Sequence, residues 1–215
     1  MKSQDVLDFW FGAPGSAEFG QLRAPWFRKD PAFDQLIAQR FGPTVDAALA
    51  GQLRDWDAAA PSALARIIVL DQFTRNIFRD TPKAFAGDAL ALAAARALLD
   101  SGADAALPPV QRSFVYLALE HAEDLALQQR CVAGFTALAA QHAALQNMLD
   151  YALRHQRVIQ RFGRFPHRNA VLGRPSTPEE LAVLAAPGSR FEKARYAAAN
   201  ASALARTAPA SSPGL

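Results

Sequence analysis

The residues from Pro61 to Phe78 carry apolar side chains on two opposite helical faces, and no other stretch limits the fold as tightly. Leu64, Ile67 and Ile68 mark one side; Val69, Leu70, Phe73 and Ile77 mark the other. A helix apolar on both sides is enclosed by neighbours rather than laid on a surface. Four-residue steps then carry Ile67 into Asp71, Arg75 and Arg79, and Ile68 into Gln72 and Asn76. Those polar groups must face other helices or a cleft.

The remaining chain reads as helices punctuated by Pro and Gly, with no convincing strand alternation. Ser3 is expected to cap a first helix carrying Val6, Leu7, Phe9 and Trp10. A second is expected from about Asp30 to Ala50, with Pro31 in its first turn and Gly42-Pro43 as a kink or break. Further helices are expected over about 87–100, 108–120, 123–141 and 145–162. Thr177-Pro178-Glu179-Glu180 has the cap, proline and first-turn acids that open another. An all-α fold follows, with antiparallel helical hairpins packed as a bundle or solenoid. Residues 1–205 are expected to form one helical domain, and the Ala/Ser/Pro-rich residues 206–215 a flexible tail.

Two more helices place polar groups on apolar stripes. Phe114 and Leu117 lead into His121 and Asp124, with Glu120 one turn before Asp124; Met148, Ala152, Ile159 and Phe162 enclose His155. Burying a charge costs several kcal/mol, of order 3 or more, unless it is paired. Polar groups on three apolar stripes therefore suggest that they meet. The loop Arg161-Phe162-Gly163-Arg164-Phe165-Pro166-His167-Arg168-Asn169 concentrates donors in a helix-breaking segment. Between Tyr151 and Pro178 there are arginines and no acid, so this segment draws negative partners from distant carboxylates or from a bound anion. Each feature also has a plainer reading: an ion-pair ladder on a helix, a solvated helix end, a hydrogen-bonded core histidine, or a loop that ties down the C-terminal region. Trp10, Trp26 and Trp56 read as core residues.

Several classes are set aside. The single cysteine, Cys131, excludes an internal disulfide and a cysteine-based zinc site within one chain. Nucleophile-elbow, phosphate-loop, dinucleotide and zinc-protease motifs are absent from the sequence. A metal site from His121, Asp124, His155 and His167 lacks diagnostic spacing, and nearby arginines would repel a cation; neither a metal nor another cofactor is expected. The net charge of +3 is too small to argue for nucleic acid. No apolar run reaches the roughly 20 residues of a membrane span. With no signal peptide evident, the expected setting is cytoplasmic.

Four blocks carry a family resemblance: Val6-Leu7-Asp8-Phe9-Trp10-Phe11-Gly12, Leu70-Asp71-Gln72-Phe73-Thr74-Arg75-Asn76-Ile77-Phe78-Arg79, Glu120-His121-Ala122-Glu123-Asp124, and the loop from Arg161 to Asn169. Over residues 4–191 the chain resembles the bacterial domain-of-unknown-function family number nine-two-four. The resemblance implies a tetratricopeptide-like helical superhelix and no particular activity. Thr74 stands where the family usually has proline, implying the loss of a helix kink. Asp80 stands where it usually has glycine.

Three functional readings remain open. A pocket for an anionic small molecule would use Arg75, Arg164 and Arg168 as anion ligands, and Asp71 to hold an arginine. His121 or His167 would then be acid or base, oriented by Asp124 or Glu120. Gln72, Asn76, Arg79, His155, Arg161 and Asn169 would complete that site. A protein-interaction module would grip an acidic peptide or carboxylate with the same residues. A purely structural network would leave no cavity. The oligomeric state stays open.

Overall fold

In a computed structural model of the chain, residues 1–186 are described, and every regular element among them is helical. The order is α1 Ser3–Phe11, α2 Pro31–Leu49, α3 Ala60–Ile67, a wide π-type turn Ile68–Phe73, α4 Thr74–Ile77, α5 Asp88–Ser101, α6 Pro109–Glu120, α7 Leu125–Gln141, α8 Gln146–Phe162 and α9 Pro178–Ala185, joined by short 3₁₀ turns. The segment 191–205 and the proposed tail lie outside the described residues.

Local signals account for most boundaries. Asp30 caps α2, its side chain accepting from the amides of Ala32 and Phe33. Gly102 adopts the left-handed conformation that ends α5. Thr177 and Glu180 form a reciprocal capping box on α9. Three expectations need correction. Ser3 is the first helical residue rather than the cap, and Asp5 accepts from the Lys2 amide. Pro43 is accommodated inside a continuous α2. Helix α7 begins at Leu125, with Asp124 as its cap.

The expectation for the central helix holds: α3, the wide turn and α4 run as one rod, against α1, α2, α5 and α6. Helix α7 instead packs mainly on its sequence neighbours α6 and α8. One apolar cluster runs from Val6 to Ala152 and takes in Trp10, Trp26 and Trp56. The Trp26 ring meets Phe114 edge-on at 4.9 Å between centroids, which ties the N-terminal segment to α6. Each such aromatic side chain contributes roughly 1.5–3 kcal/mol through burial. Among the described residues no helix is long and apolar enough to cross a membrane.

Candidate functional site

The wide turn in the central rod positions the first part of the site. A π turn spends an extra residue and leaves a carbonyl without its usual amide partner. Side chains supply the missing donors: Thr74 Oγ1 donates to Leu70 O at 2.7 Å, and Arg75 Nη1 to Asp71 O at 2.9 Å. Thr74, expected to leave a straight helix, instead stabilises this irregular turn. Gly87 lets α5 approach it, since a β-carbon there would lie 2.1 Å from Leu70 O. The next residue, Asp88, thereby meets Arg75 in a two-pronged pair at 2.7 and 2.9 Å.

Around this turn the structure assembles groups from four parts of the chain. Asp71, 1% exposed, receives Arg75 Nη1 at 2.8 Å, His121 Nδ1 at 2.6 Å and Gln72 Nε2 at 2.6 Å. Burial works to raise its pKa, but the Arg75 charge and the His121 and Gln72 hydrogen bonds hold it below the usual carboxylate range. His121 is pushed down, by burial first and by Arg75 next, so the ring is neutral near pH 7. With Asp71 ionised, the ring proton sits on Nδ1 and donates to the carboxylate, leaving Nε2 a lone-pair acceptor. Among the described residues Nε2 has no hydrogen-bond partner, and the side chain is 17% exposed.

Arg168 arrives from the loop after α8. It is 6% exposed, and its Cζ lies 4.6 Å and 4.8 Å from the ring centres of Phe165 and Phe85. A guanidinium has five N–H donors. Among the described residues Arg168 makes one hydrogen bond, from Nη1 to Asp88 Oδ2 at 3.4 Å, and its buried Nε has no partner. Burial, with the Arg75 charge adding to it, pushes its pKa down to about 10. His167 is likewise pushed to about 3, by burial and then by Arg168.

Glu120 and His155 lie deeper. His155 Nδ1 is 2.9 Å from Tyr151 O and 3.1 Å from Glu120 Oε1, while buried Glu120 Oε2 has no partner among the described residues. Burial, reinforced by the Asp71 charge, raises the Glu120 pKa well above normal. Burial holds His155 well below its usual value. Burial thus favours the neutral form of each.

The other expected site residues go elsewhere. Asp124 is exposed and caps α7, accepting from the Leu127 amide at 2.9 Å, so it does not orient a histidine. Asn76 and Arg79 both bind Asp34 of α2. Arg161 pairs with Glu179 on the surface. Arg164 grips Glu180 at 2.7 and 2.8 Å, and Asn169 donates to Glu180 and Ser176. The arginine-rich segment thus finds most of its negative partners in the protein. Asp88, Phe85, Glu123 and Arg174 were missing from the sequence reading. Arg174 binds Glu123 at 2.6 and 2.9 Å, and Glu123 also accepts the Phe165 amide, which holds the loop in place. The acid just after Gly87, in a first helical turn, was the available signal for Asp88. Among the described residues no three His, Cys, Asp or Glu side chains converge as metal ligands. A cavity of about 190 Å³ lies elsewhere, between Ala58–Ala63 and the Ala94–Ser101 face of α5.

Fold and cluster together define an all-helical protein with a buried ionic centre under a paired surface loop. The chain belongs to the bacterial family described as protein of unknown function DUF924, which it matches over residues 6–188. It is similar to a solved protein of unknown function, ATU0120 from Agrobacterium tumefaciens. The two are 39% identical, the match covers 85% of this chain and 96% of that one, and the TM-score is 0.73. No curated protein gives a significant match.

Proposed function

We propose that the buried cluster binds a small oxyanion, with Arg168 as its main ligand, and that the Asp71–His121 pair equips the site for proton transfer. The observation that carries this reading is the Arg168 guanidinium, buried with an unpartnered Nε and one long hydrogen bond. Desolvating a cation without satisfying its donors costs several kcal/mol, about 3–5 by analogy with broken buried pairs. A carboxylate, sulfate or phosphate oxygen would fill the open donor positions with charge-assisted bonds. Arg75, already committed to Asp71 and Asp88, supplies field rather than contacts. Arg164 leaves the proposed anion ligands because Glu180 occupies it. The depth of Arg168 favours a small ion over an acidic peptide, whose backbone would need a surface groove.

Thermal-shift measurements on the full chain with sulfate, phosphate and small carboxylates test this. Binding at a hundredfold excess over Kd adds about 2.7 kcal/mol of stability. At least one anion is expected to raise the melting temperature of the native chain and not that of Arg168→Met, in which a flexible apolar side chain fills the space beside the two rings. If no anion shifts the native protein, or if Arg168→Met responds equally, the cluster is a structural network.

A further inference from the structure

The acids and bases nearest Arg168 already cancel. Asp71 and Asp88 face Arg75 and Arg168, two carboxylates against two guanidiniums. Glu123 is matched by Arg174. An anion entering so enclosed a cluster brings an uncompensated negative charge, whose burial is costly unless a cation appears with it. His121 Nε2 is a basic nitrogen of the cluster with no hydrogen-bond partner among the described residues, on a side chain that is 17% exposed. Its other nitrogen is already fixed on Asp71, so a proton gained at Nε2 would produce an imidazolium backed by a carboxylate at 2.6 Å.

Resting on the proposed function, we propose that the site takes up its oxyanion together with one proton, and that His121 Nε2 is the atom that carries this proton against the bound oxygen. For a ligand that arrives as an acid, its O–H bond breaks and an N–H bond forms at Nε2, the electron pair staying on oxygen. For an anion that arrives without a proton, the solvent supplies it. His121 is then the proton-exchanging residue, Asp71 its positioning residue and Arg168 the anchor.

The charged and titratable groups facing His121 fit this assignment. Asp71 and Arg75 come from the central rod, and Asp88 reaches it through Arg75. Arg168 and His167 come from the loop, and His155 from α8. Glu120 adjoins it at the end of α6, where burial and the Asp71 charge raise its pKa and disfavour its ionised form. Glu123 is held by Arg174. The arginines oppose protonation of His121; an added anion offsets them and favours it.

Sulfate separates the two proposals because it does not titrate in the neutral range. Its affinity for the full chain is measured by calorimetry from about pH 6 to 8, in buffers of different ionisation enthalpy. One coupled proton predicts that Kd rises up to about tenfold per pH unit, with uptake approaching about one proton. His121→Asn, whose amide can still donate to Asp71, is expected to bind more weakly, with a flat pH profile and no uptake. Its melting curve checks that it folds. Sulfate binding that depends on Arg168 but is flat with pH in the native chain leaves the anion site standing and overturns the proton coupling. A slope that persists in His121→Asn overturns the assignment to His121. Absence of binding by sulfate, phosphate and small carboxylates across the range overturns both.

Discussion

The segment from Arg161 to Arg174 serves two regions that are built on opposite terms. Towards the surface, Arg161 and Arg164 meet Glu179 and Glu180, Asn169 joins Glu180, and Arg174 closes on Glu123, so the charges match partner for partner. Towards the interior, Arg168 is more deeply buried than any of these arginines and has the poorest hydrogen bonding. The difference is informative because burial raises the penalty for an unsatisfied donor. A chain able to satisfy these four groups so fully has left the buried guanidinium incomplete. The outer pairs explain how the loop is held; the inner arginine indicates what the loop is held for.

Substitutions on the two sides should behave differently. The largest effect is expected from Asp71→Ala, which strands Arg75 and His121 together in the interior and should cost about 3–5 kcal/mol in urea unfolding. A cost below about 1 kcal/mol would mean the inner cluster is wetter than its geometry indicates. Arg168→Met should go the other way. Replacing an incompletely paired buried cation by an apolar chain should stabilise the ligand-free protein by about 1–2 kcal/mol while abolishing sulfate binding. If it destabilises instead, Arg168 is a structural residue and the contrast collapses. Arg164→Ala should lower the melting temperature by a few degrees and leave sulfate affinity as it was; weakened binding would show that the two regions are not separable. Asp80→Gly is the smallest change and a control outside both. Asp80 is the one non-glycine residue with positive φ among the described residues, at 62°. Relieving it should add about 0.5–1 kcal/mol without touching anion binding.

The comparison also explains what could be read from the sequence. The central rod was legible because its two apolar faces leave only one place for it. The capping box at Thr177 and the left-handed Gly102 were legible because such signals act within a few residues. The meeting of Asp71 and His121 could be argued from charges on apolar stripes, and the demand of the Arg168 loop for distant negative partners from its arginines without acids. Their partners could not: Asp88 lies 80 residues before Arg168, and no local pattern ties the two. Asp124 was misplaced for a local reason. An acid directly before Leu125-Ala126-Leu127 is a cap signal, and starting α7 at Glu123 hid it. The wide turn had no sequence mark beyond Thr74, because it is settled by how closely α5 can approach.

That approach has a consequence for how the protein can move. Sliding the extra residue out of the turn at Ile68–Phe73 would rotate everything beyond it by about 100° around the rod axis. Arg75 would swing off Asp88, and the imidazole on Asp71 would lose its neighbour's field. Backbone touches backbone at Gly87, so α5 has no soft side chain with which to absorb such a slip. Helix phase and the ionic pairing around Asp71 are thus geared together, and the molecule cannot retune one while keeping the other.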